Sequence, residues 1–382
     1  MKITFFSNFL NHHQLPFCLE MNKKANVEFR FVATEAIPEE RLKLGYENMN
    51  SSYDFVIRAY ESEEEYQRAL ALAYESDVVI IGSAPEILIQ KRLEENKLTF
   101  RYSERVLKKG LWRILNPRLY RNLYKIHTVY KNKELYLLCA GAYPAGDFSL
   151  VGAYPQKAYK WGYFPEVKEY DIENLIPNKP KEISILWVGR YLNWKHPEIV
   201  VKLAKRLKKR GYQFKINMIG TGPLEEKIKQ KVVRQKLEDC VHILGSKPNE
   251  QVRKQMEMAN IFLFTSDRNE GWGAVLNEAM NSGCAIVADE LIGAVPFLIQ
   301  DGVNGFIYKD KSLKSLTQKV EKLIQDKELR ERLAKNAYQT LMTTWNAQTA
   351  AEHLMILINN IQNKQNISIK EGPCSKAEIL IR

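Results

Sequence analysis

Short apolar runs of strand length recur along the chain, at residues 3–6, 27–32, 78–81, 135–138, 183–188, 214–219, 241–244, 261–264 and 284–287. Several are apolar throughout rather than alternating, the pattern of strands buried on both faces of a parallel sheet. Many are separated by stretches with helical periodicity. In Pro197–Lys209, for instance, Ile199, Val200, Leu203, Ala204 and Leu207 make one apolar face. Strand–helix alternation predicts an α/β fold. The alternation breaks once, where Pro165, Pro177 and Pro180 sit in a mixed-charge stretch without periodicity, and restarts at Ile183. The expected organisation is an N-terminal domain over 1–165, a linker over 166–182 and a second α/β domain over 183–345. A helix follows over 346–366. Residues 367–382, with Gly372-Pro373 and little apolar pattern, are expected to be a loosely ordered tail.

A length of 382 residues suits two domains, and 45% hydrophobic with 27% charged residues is ordinary for a globular protein, which excludes collagen, coiled coil and wholesale disorder. The net charge of +12 implies an anionic partner without saying which. Cys18, Cys139, Cys240, Cys284 and Cys374 are scattered, and no two have Cys-x-x-Cys spacing. That argues against a zinc ribbon, a thioredoxin-type site or a disulfide scaffold, and for a reducing compartment. The first residues run straight into a strand-like stretch and lack the apolar run of a signal peptide. No run of 18 apolar residues is present, so no helical membrane span is expected.

The richest chemistry lies in the second half. Strand 261–264 leads into Thr265-Ser-Asp-Arg-Asn-Glu-Gly-Trp-Gly-Ala-Val-Leu-Asn-Glu278. Gly271 and Gly273 leave the backbone open to a ligand, and the amides of the following helix start attract negative charge. Glu270 and Glu278 are of the type that accepts hydrogen bonds from sugar hydroxyls. The plain alternative is a strand–loop–helix connection with two unremarkable glutamates. Strand 183–188 ends in Gly189-Arg190 and, five residues on, Lys195. An arginine fork and a lysine point charge at the carboxyl end of a parallel strand suit a diphosphate, although solvated cations are the usual fate of such residues. A third turn, Gly220-Thr-Gly222-Pro, follows strand 214–219.

Together these loops resemble the C-terminal half of retaining glycosyltransferases of family 4, the group 1 glycosyltransferases with the GT-B fold. The likeness runs through 183–308 and rests on Gly189, Arg190 and Lys195, on the Gly-x-Gly-Pro turn, on the Glu270-to-Glu278 spacing, and on the stretch from Gly293 to Gly305. It implies two Rossmann-like parallel-sheet domains facing a cleft, and a sugar moved from a UDP- or GDP-linked donor with retention, without an obligatory metal or other cofactor. Carried over by position, Arg190 and Lys195 hold the diphosphate. Glu270 and the backbone of Gly271, Trp272 and Gly273 hold the donor sugar, and Ala274, Val275 and Leu276 offer amides at the helix start. Glu278 binds the ribose, and Gly245, Ser246 and Lys247 face the base, with Gly189, Gly220 and Gly222 shaping the turns. Phe297 stands where the family often has a glutamate.

In the first half the family's glycine-rich loop is replaced by Asn11, His12, His13 and Gln14, expected to face the diphosphate or acceptor. A metal there is disfavoured because the two histidines diverge and have no acidic neighbour; a helix cap is the plain alternative. Glu104 stands near the position of the family histidine and is a candidate to orient or deprotonate the acceptor, with an exposed helix start as the equal alternative. Residues 101–133 carry ten basic residues and one acid, with Leu107, Leu111, Leu115, Leu119 and Leu123 at every fourth position, interrupted at Pro117. A basic amphipathic stretch with aromatic residues fits an anionic membrane surface, against a reading in which the leucines face the domain core. Nucleic acid is disfavoured because no nucleic-acid motif accompanies the charge. Trp345 is expected to mark the chain's return to the first domain.

The sequence therefore predicts a glycosyltransferase acting on a saccharide acceptor, expected to be lipid-linked, in surface polysaccharide or lipopolysaccharide assembly at the inner face of the cytoplasmic membrane. The rivals are another GT-B enzyme, such as a nucleotide-sugar epimerase or a phosphorylase, and a non-catalytic basic binding module.

Overall fold

The computed structural model describes residues 1–39, 42, 47–365 and 367–382. They form two compact units, Met1–Glu166 with Asn346–Arg382, and Val167–Trp345. Position 366, the last of the helix predicted over 346–366, lies outside the described residues.

The first unit holds a seven-stranded sheet of β1 (Lys2–Ser7), β2 (Glu28–Ala33), β3 (Val56–Arg58), β4 (Val78–Ile81), β5 (Thr99–Ser103), β6 (Leu135–Ala140) and β7 (Ala158–Trp161), in the order β3-β2-β1-β4-β5-β6-β7. The second holds β8 (Ile183–Val188), β9 (Phe214–Ile219), β10 (Val241–Ile243), β11 (Ile261–Phe264), β12 (Ala285–Asp289) and β13 (Phe306–Tyr308), ordered β10-β9-β8-β11-β12-β13. Every neighbouring pair in both sheets is parallel. Both are α/β Rossmann-like sheets. The strand order reverses between β1 and β4 in one and between β8 and β11 in the other. At such a switch point adjacent loops at the carboxyl ends diverge and leave room for a ligand.

The uniformly apolar runs are the central strands: all four residues of β4 and of β11 are buried. The helix Pro197–Lys209 buries Ile199, Val200, Leu203, Ala204 and Leu207, each larger aliphatic side chain contributing roughly 1.5–3 kcal/mol. The strands β3, β5, β7 and β13 have no counterpart in the apolar runs. They are short or mix polar with apolar positions, as in Thr99-Phe-Arg-Tyr-Ser103, so their pairing depends on neighbours rather than on their own pattern.

Three stretches differ from the sequence expectation. Most of the linker over 166–182 is docked on the second unit. Ile172 and Ile176 are in its core, and the buried Lys179 ammonium donates to the carbonyls of Met256, Ala259 and Ser282. The tail is not loose either. The amide of Cys374 donates to Lys160 and that of Ala377 to Ala158, along the edge of β7. The buried Arg105, paired with Asp147, also donates to the carbonyl of Arg382. Polar backbone can be ordered by hydrogen bonding to a sheet edge without any apolar periodicity of its own.

The basic stretch, finally, is no single amphipathic helix. It is a 3₁₀ turn Leu111–Leu115, a helix Pro117–Leu123 and a π turn Tyr124–Thr128. Leu107 and Leu123 are buried, while Leu115 is 80% exposed, so the leucines do not share a face. Arg101 and Arg105 are buried too, paired with Glu86 and Asp147.

Candidate active site

In the second unit the switch point lies between β8 and β11, and the two loops leaving it carry the predicted charged residues. The loop after β8 passes Gly189 and the exposed Arg190, makes a 3₁₀ turn Asn193–Lys195, and enters the helix Pro197–Lys209 at His196. The loop after β11 runs from Thr265 to the helix Val275–Asn281. They are stitched together. The Trp187 indole donates to the Thr265 hydroxyl at 2.9 Å, that hydroxyl donates to the Lys195 carbonyl at 2.6 Å, and the Asp267 amide donates to the Trp194 carbonyl at 2.9 Å. Lys195 and Glu270 meet as an ion pair with both side chains largely buried. Ser266 donates to the same Glu270 oxygen at 2.9 Å.

The glycine turns after β8, β9 and β10 lie against one another. The Gly189 amide donates to the Ile219 carbonyl, and the Gly220 amide to the Gly245 carbonyl at 2.8 Å. Gly220 has φ +131°, and a Cβ there would stand 2.0 Å from the Gly189 carbonyl oxygen. Only glycine permits that approach. Gly293 plays the same part beside the Glu270 loop. Its amide donates to Glu270, and a Cβ on it would stand 1.7 Å from the Gly271 oxygen.

The side chains of three other predicted donor residues are buried. Trp272 and Leu276 are fully buried, and Ala274 nearly so. The Trp272 indole donates to Asn277, and its ring packs with Phe297 and Trp345, which stack on each other at 5.6 Å. These residues can serve a ligand only through their backbone. Phe297, which departs from the glutamate common in the resembled family, belongs to this aromatic cluster. Glu278 is half-buried on the helix Val275–Asn281. Burial raises its carboxyl pKa, opposed by the nearby charge of Arg253. Ser246 is exposed and Lys247 half-buried in the loop after β10.

In the first unit the switch-point loop after β1 holds Asn11, His12, His13 and Gln14. The Asn11 side chain donates to Gln14 and accepts from the His13 amide, both at 3.0 Å. His13 stacks flat on Tyr163, with centroids 5.2 Å apart, and its carbonyl accepts from the Phe164 amide. Tyr163 donates to Glu104, which also pairs with Lys108. Glu104 and the histidine loop, 91 positions apart, thus belong to one cluster through Tyr163. Among the described residues no group of three or more His, Cys, Asp or Glu is placed to hold a metal ion.

Sequence reasoning passed over Tyr163, His196 and Asp267. Tyr163 lies 59 positions from Glu104, and Asp267 lies 71 from His196. No local spacing marks such pairs.

Against known proteins, residues 169–340 match the family model described as glycosyl transferases group 1. The amylovoran biosynthesis glycosyltransferase AmsK of Erwinia amylovora is 32% identical over 148 residues, 37% of this chain and 36% of that protein. A putative colanic acid biosynthesis glycosyltransferase, WcaL of Escherichia coli K12, is 27% identical over 143 residues, 36% of this chain and 35% of that one. The match thus spans little more than a third of these relatives. HepE of Anabaena, solved in complex with UDP, superposes with a TM-score of 0.67 at 16% identity, over 94% of this chain and 100% of that one. The lipopolysaccharide outer core galactosyltransferase WaaB does so at 0.65 and 17%, over 95% and 100%. Fold and site define a two-unit α/β protein of GT-B type. Within its second unit, residues 169–340 are similar to the group 1 glycosyl transferases.

Proposed function

We propose that this protein is a retaining glycosyltransferase. It moves a sugar from a UDP- or GDP-linked donor to a lipid-linked saccharide in surface polysaccharide or lipopolysaccharide assembly. The observation that carries this reading is the meeting of Lys195 and Glu270 at the β8/β11 switch point, among glycine turns that leave backbone open to a ligand. The family match over 169–340 and relatives named for amylovoran and colanic acid biosynthesis support it.

On this reading Arg190 and Lys195 neutralise the charge that develops on the leaving diphosphate, a form of electrostatic catalysis. Glu270 and the backbone of 271–273 hold the sugar hydroxyls, Glu278 the ribose, and 245–247 face the base. The bond from the anomeric carbon to phosphate oxygen breaks, and the acceptor oxygen bonds to that carbon on the same face. The acceptor proton passes to a donor phosphate oxygen, so no enzymic nucleophile is needed. Glu104, held by Tyr163 and Lys108, orients the acceptor hydroxyl beside the loop of residues 11–14. Arg190 and Lys195 supply the positive charge, so no metal is obligatory, and turnover persists in EDTA.

The first unit presents an apolar and basic surface that fits a lipid-linked acceptor. Trp112 is 69% exposed, and Leu115, Tyr120 and Tyr124 are exposed beside Arg118, Arg121 and Lys125. Aromatic and leucine side chains with cations around them suit an anionic headgroup layer, which supports a peripheral position on the inner face of the cytoplasmic membrane. The deciding assay incubates the protein with UDP- and GDP-sugars and lipid-linked saccharide. It follows nucleoside diphosphate release and reads the anomeric configuration of the product by NMR. An inverted product removes the retaining assignment; epimerised donor without transfer favours an epimerase.

A further inference from the structure

His196 follows Lys195 directly and sits at the start of the helix Pro197–Lys209, with φ 50° and ψ 48°. That left-handed backbone is costly for a residue with a side chain. A cation at a helix N-terminus is opposed by the helix dipole as well. Something must offset both.

The offset is visible in the ring contacts. Nε2 lies 3.0 Å from Asp267 Oδ2, and Nδ1 lies 3.2 Å from Glu198 Oε1. A neutral imidazole has one N–H, so it can satisfy one of these acceptors; satisfying both takes the imidazolium. Burial works against that charge, but the hydrogen bonds and charges of Asp267 and Glu198 outweigh it and push the pKa up to about 9. Asp267 is held well down, to about 2. Burial opposes this, but the bonds from His196 and from the amide and side chain of Asn269 prevail. The other charges facing the pair are Lys311, 3.6 Å from Asp267, and Lys202, which acts on Glu198. Lys227 and Lys231 share a cavity of about 340 Å³ with His196 and Glu198.

Lys195 and His196 are neighbours on one loop; Asp267 and Glu270 share one turn of the other, where the Glu270 amide donates to the Asp267 carbonyl at 2.9 Å. Two cross-links, Lys195–Glu270 and His196–Asp267, therefore close a ring across the switch point. We infer that the His196–Asp267 pair is a charged clamp that positions Lys195 and Glu270 for the donor diphosphate and sugar. His196 and Asp267 act through their neighbours, so both are positioning residues. The inference rests on the proposed function, because it names what holds that site's charged residues in place.

The test compares wild type with His196→Asn, since asparagine tolerates the left-handed backbone and can donate to Asp267 without carrying charge. UDP and GDP are titrated by calorimetry between pH 6 and 10, with thermal midpoints in parallel. The variant is expected to bind about tenfold more weakly at pH 7. The gap should close as pH rises through 9, where wild type also loses the imidazolium. Equal affinities and superimposable pH profiles overturn the clamp while leaving the donor site standing. Failure of wild type to bind either nucleotide at any pH overturns the proposed function, and the clamp with it. NMR of ¹⁵N-histidine wild type gives a second reading that does not depend on how the variant folds. A His196 imidazole charged at pH 7.5 supports the clamp, and one titrating near 6.5 overturns it.

Discussion

Lys195 and Glu270 stand 75 positions apart in the chain and form an ion pair at the carboxyl edge of the second sheet. Each neutralises the other in a site with little solvent. On the proposed reading, the donor replaces one partner for each: its diphosphate takes Lys195 and its sugar hydroxyls take Glu270. The pair keeps both groups in place without leaving either charge buried and uncompensated.

Arg190 is exposed, so its loss should touch chemistry rather than stability. Arg190→Ala is expected to lower turnover by about 10²-fold if it stabilises the leaving diphosphate, with the thermal midpoint unchanged. Steady-state kinetics with a nucleotide sugar checks this. Wild-type turnover would remove Arg190 from the mechanism.

Gly220→Ala puts a Cβ against the Gly189 carbonyl in a backbone conformation that side chains avoid. The strain is expected to cost about 1–3 kcal/mol, and the two turns should separate. Urea denaturation and nucleotide titration should therefore both show a loss. A stability unchanged within about 0.5 kcal/mol would mean the turns re-pack freely.

Arg118, Arg121 and Lys125 are exposed beside Trp112, Leu115, Tyr120 and Tyr124. Each cation near an anionic surface contributes about 1 kcal/mol, so replacing the three by alanine should weaken vesicle binding by about 10²-fold. Sedimentation with phosphatidylglycerol vesicles measures it, and added salt should weaken wild-type binding as well. Binding that ignores lipid charge would remove the membrane reading.

Asp289, fully buried at the end of β12, has its pKa raised to about 6 by burial, although the amides of Leu291 and Lys311 donate to it. Its folded pKa exceeds the unfolded value of about 3.9, so the folded state holds the extra proton between the two. This residue therefore costs stability as pH rises from about 4 to 6, by about 3 kcal/mol in all. Asp289→Asn should flatten the unfolding free energy across that window, read from urea midpoints at pH 4.5 and 7. An unchanged slope would place the titration elsewhere.

The central strands and the helix Pro197–Lys209 were legible because burial on both faces, or along one stripe, writes a period into the residues themselves. The Gly189-to-Lys195 and Glu270-to-Glu278 segments stood out by residue types at short spacing, and the structure brings Lys195 of one to Glu270 of the other. The edge strands β3 and β7 were not legible. Nor was the order of the segment 372–382, because its partner is the backbone edge of β7, and backbone pairing leaves no mark on side-chain pattern. Leucines at every fourth position suggested a single face over 107–123, yet Pro117 and the turn geometry around it scatter them.

By itself, the sequence determined the α/β class, the two-unit plan and which loops carry glycine, cation and carboxylate. Only the tertiary structure decided which of those residues meet. Strand order brings β8 beside β11, and so Lys195 to Glu270 and His196 to Asp267; Tyr163 joins Glu104 to His13. Local pattern reports the environment a residue needs, while partners far apart in the chain are chosen by how the strands are ordered.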